Sequence, residues 1–158
     1  MDQNTYVFLL KIIQLKCMIS KSKIGKIGDR IKRGEFLTKA ENTNLQDWRK
    51  SFVPILDYYP KKATQKIDEE SIVALGKRLK RIPSIHSKLK RSKTLRLSSM
   101  QDIAGLRIGL KNQSAMLAAA NTMRSSQSKN KFKRMYDYHS QPKEDGDRSI
   151  HLVYQSVK

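Results

Sequence analysis

From Ala104 to Leu110 the chain alternates strictly: Ala104, Leu106, Ile108 and Leu110 take turns with Gly105, Arg107 and Gly109. A period of two belongs to a strand that buries one face and turns the other outward. The same period returns from Arg148 to Tyr154, with Ile150, Leu152 and Tyr154 on one face and Ser149, His151 and Val153 on the other. Neither segment is stable alone, so the two are expected to lie together in one sheet. Between them, Ser114–Met123 is rich in Ala, Leu and Met and reads as a helix. Ser125–Lys133 is polar and basic and reads as a loop, and Gln141–Asp147 (QPKEDGD) reads as a turn.

The first half reads mainly as helix. Ile24, Ile27 and Ile31 fall at spacings of three and four within residues 20–34. Trp48, Phe52, Ile55 and Leu56 form a second stripe, with Pro54 marking a kink or a start and Pro60 an end or the next beginning. Asp68–Leu95 reads as a longer helical stretch weakened by Pro83. At the front, Tyr6–Leu15 (YVFLLKIIQL) is too short to span a bilayer, and Lys11 interrupts it. It reads as an amphipathic helix, with a secretory leader or translated sequence upstream of Met18 as the other readings. Helices followed by strand, helix, loop and strand give an α+β fold class, and no internal repeat is visible.

Charge narrows the function. The 158 residues suffice for one domain with a hydrophobic core, and a formal charge of +19 selects polyanionic partners: nucleotides, RNA or an anionic membrane surface. The single cysteine, Cys17, excludes an intrachain disulfide and a cysteine-based metal cluster, and a reducing cytoplasm suits it. No acidic residue lies between Glu70 and Asp102, whereas Lys77, Arg78, Lys80, Arg81, Lys88, Lys90, Arg91, Lys93 and Arg96 do. Such a run is either a solubilising surface or a site for an anion. Lys80, Ser84 and Lys88 are spaced by four, so a helix continuing through Pro83 would gather two ammonium groups around a hydroxyl as a phosphate cradle. Asp102, just ahead of the first strand, is either a turn residue or a hard oxygen ligand for Mg²⁺ among phosphates. In DYHSQPKEDGDRSIHLVY (residues 137–154), Lys143, Arg148 and His151 surround a turn at Gly146.

Three stretches in this order, RLKRIPSIHSKLKR (Arg78–Arg91), MQDIAGLRI (Met100–Ile108) and DYHSQPKEDGDRSIHLVY, resemble motifs of the RelA/SpoT-type (p)ppGpp synthetase domain. SKSKIGKIGDRI and NLQDWRKSFVPI resemble the helical lead-in of its small stand-alone members. The resemblance implies an extra or mis-assigned N-terminus over 1–18, a lead-in over 19–75 and a partial synthetase core over 76–158. It implies a nucleotidyltransferase-like mixed sheet with flanking helices, incomplete at the C-terminus, because the family pattern continues into a glutamate-bearing strand beyond the histidine one. The implied activity is GTP diphosphokinase: Mg²⁺-assisted transfer of pyrophosphate from ATP to the ribose 3′-hydroxyl of GDP or GTP. A toxic branch instead uses the 3′ end of tRNA.

By position, Arg78, Lys80, Ser84 and Lys88 match ATP-binding residues, and Asp102 matches the magnesium ligand. Asp102, Arg107 and His151 match the catalytic set. Lys143, Asp147, Arg148 and Ser149 match the acceptor-nucleotide region. One position departs: where the family has a tyrosine that stacks on guanine, this chain has Asp147. An aspartate offers no ring face. The resemblance therefore implies impaired alarmone synthesis, with ATP bound better than guanine nucleotides. The alternatives are a non-catalytic nucleotide- or RNA-binding remnant and a tRNA 3′-end pyrophosphokinase. No membrane partner is implied.

Overall fold

In a computed structural model of the chain, the described residues are 6–13, 19–128, 130–144 and 146–156. They form an α+β fold around one mixed sheet. Its strands are β1 (Tyr6–Ile13), β2 (Ile72–Leu79), β3 (Ala104–Leu110), β4 (Asn130–Asp137) and β5 (Ile150–Ser156), in the order β2-β3-β1-β5-β4. The helices are α1 (Lys21–Arg33), α2 (Lys39–Lys50), α3 (Val53–Lys66), α4 (Ile82–Arg91) and α5 (Gln113–Ser125).

The N-terminal segment departs furthest from its sequence reading. Residues 6–13 are not an amphipathic helix but the central strand, antiparallel to β3 and parallel to β5. Residues 14 and 15 of the expected helix lie outside the described residues. A short apolar run carries no period that separates helix from buried strand. Its aromatic, branched and aliphatic side chains suit a position with a strand on either side. As a result β3 and β5 share the sheet without being neighbours.

Two further segments turn out to be edge strands. Within Asp68–Leu95, Ile72–Leu79 is strand β2 and the helix starts only at Ile82, with Pro83 in its first turn. Proline there is compatible with helix initiation, because the first N–H groups have no partner in any case. The expected loop at Ser125–Lys133 gives way at Asn130 to strand β4. Both edges carry cations, Lys77 and Arg78 on β2 and Lys131, Lys133 and Arg134 on β4. Such residues discourage further strand pairing, and they also hide the strands from a hydrophobic reading. The stripe at residues 47–58 divides between α2 and α3. Pro54 opens α3, but Pro60 lies inside it and ends nothing. The buried Tyr59 and Ala63 hold the helix on the core across the lost hydrogen bond.

Two helix readings hold. Ile24, Ile27 and Ile31 are the buried face of α1, which Ser20 caps at the start and Gly34, at φ 76°, at the end. Ser114–Met123 lies within α5, capped by Asn112. At Gly28 an added Cβ would come within 2.6 Å of the Leu97 Cβ. Glycine is thus what lets α1 press against the 3-10 turn Leu97–Ser99.

Register gives the sheet two unlike faces. Phe8 and Leu10 pair with Ile108 and Leu106 on one side and Ile150 and Leu152 on the other, all buried. Helices α3 and α5 pack on this sheet, where Tyr59 meets Tyr154 at 5.4 Å and the Tyr154 hydroxyl donates to the Met123 carbonyl at 2.7 Å. The alternate residues Lys11, Arg107 and His151, together with Arg78 and Gly76 by their register to Gly105 and Arg107, share the opposite face.

Candidate functional site

The polar face of the sheet holds the chemistry. Arg78 is near the end of β2 and Lys80 follows it. The Lys80 backbone is fixed on both sides: its N–H donates to the Ile103 carbonyl at 2.7 Å, and its carbonyl accepts from Arg49 Nε at 2.6 Å. Asp102 stands in the turn leading into β3. Its Oδ2 accepts from Lys80 Nζ at 3.1 Å and from Lys88 Nζ, on α4, at 2.8 Å. Burial works to raise the Asp102 pKa, but the two ammonium groups, Lys88 foremost, outweigh it and hold the carboxyl below its ordinary range. The other oxygen, Oδ1, is buried and has no hydrogen-bond partner among the described residues.

Beside this cluster lies a cavity of about 400 Å³. Lys11, Arg78, Lys80 and Arg107 line it against one carboxylate, Asp102, with Leu9 on the same face, whereas Gly76 and Gly105 contribute no side chain. Lys77 borders it too, but its ammonium is paired with Asp57 on α3 at 3.0 Å.

A second cluster is centred on His151, which is only 2% exposed. Its Nε2 lies 2.7 Å from Ser149 Oγ and 3.0 Å from Asp147 Oδ2, and its Nδ1 lies 2.9 Å from Lys11 Nζ. The ammonium can only donate, so Nδ1 accepts and the proton sits on Nε2. Burial and the Lys11 charge push the His151 pKa down to about 4, which leaves the ring neutral at pH 7. Its contact with Asp147 is then a hydrogen bond rather than an ion pair. Asp147 is drawn inward: it accepts from the Ser149 hydroxyl, from the Ser149 N–H at 3.1 Å and from Lys143 at 3.2 Å. These contacts more than offset its burial and hold its pKa at about 2. Lys143 also covers the Tyr138 ring, 3.8 Å from its centroid, and Tyr138 meets His151 edge to face. Burial lowers the Lys11 pKa, and Lys143 and Lys88 add to it; Asp102 and Asp147 only partly compensate.

Apart from Lys11, Arg49, Gly76 and Leu9, these residues lie on one stretch, residues 77–158, which matches the region found in RelA / SpoT proteins. The chain belongs to the RelA/SpoT family. No curated protein matches it. The matched stretch begins inside β2 and includes α4, β3, α5, β4 and β5, whereas β1 and α1–α3 precede it.

Among the residues singled out from the sequence, Arg78, Lys80, Asp102 and Arg107 meet at one cavity, and Lys88 joins them through Asp102. Lys143, Asp147 and Ser149 gather at His151. Three placements differ from the sequence reading. Lys80 precedes α4, so it shares no helix face with Ser84 and Lys88, although both lysines reach Asp102. Ser84 lines a separate hollow with Lys77, Arg78, Leu79 and Arg81. Arg148 is exposed and lines neither space. Lys11, Gly76, Gly105 and Tyr138 were missed. The one visible hint of Lys11 was a lysine inside an otherwise apolar run. Among the described residues no three His, Cys, Asp or Glu side chains gather as a metal cluster, and no helix is long and apolar enough to cross a membrane.

Proposed function

We propose that the cavity takes the polyphosphate of ATP together with magnesium, as the donor half of a pyrophosphate-transfer site on a nucleotidyltransferase-like sheet. The guanine-nucleotide half is weak, and transfer by this chain is slight. The observation that carries the reading is the convergence of Lys80 and Lys88, from two different segments, on Asp102 beside a cavity that Lys11, Arg78, Lys80 and Arg107 also line.

Each of the two ammonium groups uses one donor on Asp102 and keeps two for phosphate oxygens. The Arg78 and Arg107 guanidinium forks add planar donors suited to phosphate. Asp102 fits a magnesium contact: it is ionised, oxygen is the ligand such a cation prefers, and Oδ1 has no hydrogen-bond partner among the described residues. Magnesium, when bound, neutralises phosphate charge and polarises the phosphoryl group under attack. With one protein carboxylate, the rest of its shell would come from phosphate and water.

The acceptor side supports less. Asp147 has no ring to stack on a base, and its carboxylate is engaged with Ser149, Lys143 and His151. Both His151 nitrogens are occupied, so the ring is not poised to take a proton from an acceptor hydroxyl.

Radiolabelled ATP and magnesium incubated with GDP, GTP or deacylated tRNA test both halves. The expected result is retention of ATP on the protein with almost no labelled product from any acceptor. Robust synthesis would contradict the weak acceptor half, and failure to retain ATP would contradict the donor half.

A further inference from the structure

We infer that Lys11, on a strand outside the family-matched stretch, is a phosphate ligand of the cavity and contributes directly to nucleotide binding. This rests on the reading of the cavity as a polyphosphate site.

Lys11 occupies the middle of the sheet, in register with Gly105 on β3 and Val153 on β5. Its side chain is on the polar face and lines the cavity with Arg78, Lys80, Asp102 and Arg107. Because its neighbour on β3 is glycine, no side chain there covers it. A lysine in a sheet centre ordinarily has a carboxylate partner, since removing an unpaired charge from water is costly. Among the described residues Lys11 makes no such ion pair; its hydrogen bond is to the neutral ring of His151. Asp102, the cavity's one carboxylate, already receives two other lysines on Oδ2. The shortage of negative charge is what an incoming phosphate would supply, and Lys11 has two donors left for it.

The chain of contacts gives His151 a different part from the one its motif implies. Asp147 and Ser149 hold the ring, and the ring's Nδ1 holds the Lys11 ammonium. His151 is thus a positioning residue for a cation that faces the ligand.

The test is calorimetric titration of magnesium-ATP into the full chain and into Lys11→Met, Lys11→Gln, Lys88→Met and Lys39→Met at one ionic strength. Gln keeps a donor for His151 and loses the charge. Lys39 is exposed at the end of α2 remote from Arg49, so its variant removes equal charge away from the cavity. Both Lys11 variants and Lys88→Met should bind ATP about tenfold more weakly, as loss of a charge-assisted hydrogen bond does. Lys39→Met should stay within about twofold. Should Lys11→Met be too unstable to titrate, Lys11→Gln decides. Wild-type affinity in a folded Lys11 variant, with Lys88→Met weakened, would overturn the role of Lys11 and leave the cavity reading intact. No binding by the unaltered chain would overturn both.

Discussion

At the scale of single residues, the site is a set of opposed charges held at unequal depth. Asp102 is kept ionised by lysines, whereas His151 is kept neutral by burial and a neighbouring cation. The second of these has a pH signature. The His151 pKa falls from 6.5 to about 4 on folding, so between those values the unfolded chain binds a proton that the folded chain refuses. Its stabilising contribution is full above pH 6.5 and is lost as the pH falls through about 4. The shift is worth up to about 3 kcal/mol. Chemical denaturation at a series of pH values should show wild-type stability declining across that window, and His151→Gln should flatten the decline. Parallel curves for the two proteins would contradict the buried neutral ring. Asp147 and Asp102, with their lowered pKa values, add a further loss only at more acidic pH.

At the scale of elements, what matters is which side of the sheet a residue faces. Gly76 on β2 opposes Arg107 and lines the cavity, and a Cβ added there would meet nothing within 4 Å. Gly76→Val should therefore fold with stability changed by less than about 1 kcal/mol, since a branched residue suits a strand. Its side chain would enter the cavity and weaken ATP binding at least about tenfold. Unchanged affinity, measured on a variant with an unchanged unfolding midpoint, would show that the nucleotide lies elsewhere.

The sequence made the strands at Ala104–Leu110 and Ile150–Tyr154 legible because each has one core face and one polar face. It hid β1, which is apolar nearly throughout, and β2 and β4, whose exposed basic positions erase the alternation. The order of the motifs made the Asp102, Lys80 and Lys88 grouping readable, although the expected helical spacing of Lys80 was wrong. Lys11 was legible only as an interruption, because its role depends on which strands flank it.

At the scale of the molecule, the formal charge of +19 is not spread evenly in function. Part of it guards the two edge strands, and part lines a cavity whose one carboxylate is already shared. On the proposed reading, field and site act together: the general positive potential draws polyanions in, and the fixed donors at the cavity select what stays. Belonging to the RelA/SpoT family places such a cavity in a context of nucleotide phosphates. On the proposed reading, Asp147 separates its two halves: the residues assigned to phosphate are in place, and the position assigned to guanine stacking has no ring. The most direct measurement compares affinities by calorimetry for ATP, GDP and GTP, each with magnesium and at one salt concentration. The account predicts that ATP binds at least about tenfold more tightly than either guanine nucleotide, and that Lys80→Met or Lys88→Met removes this advantage. Tighter binding of GDP or GTP than of ATP by the unaltered chain would contradict it.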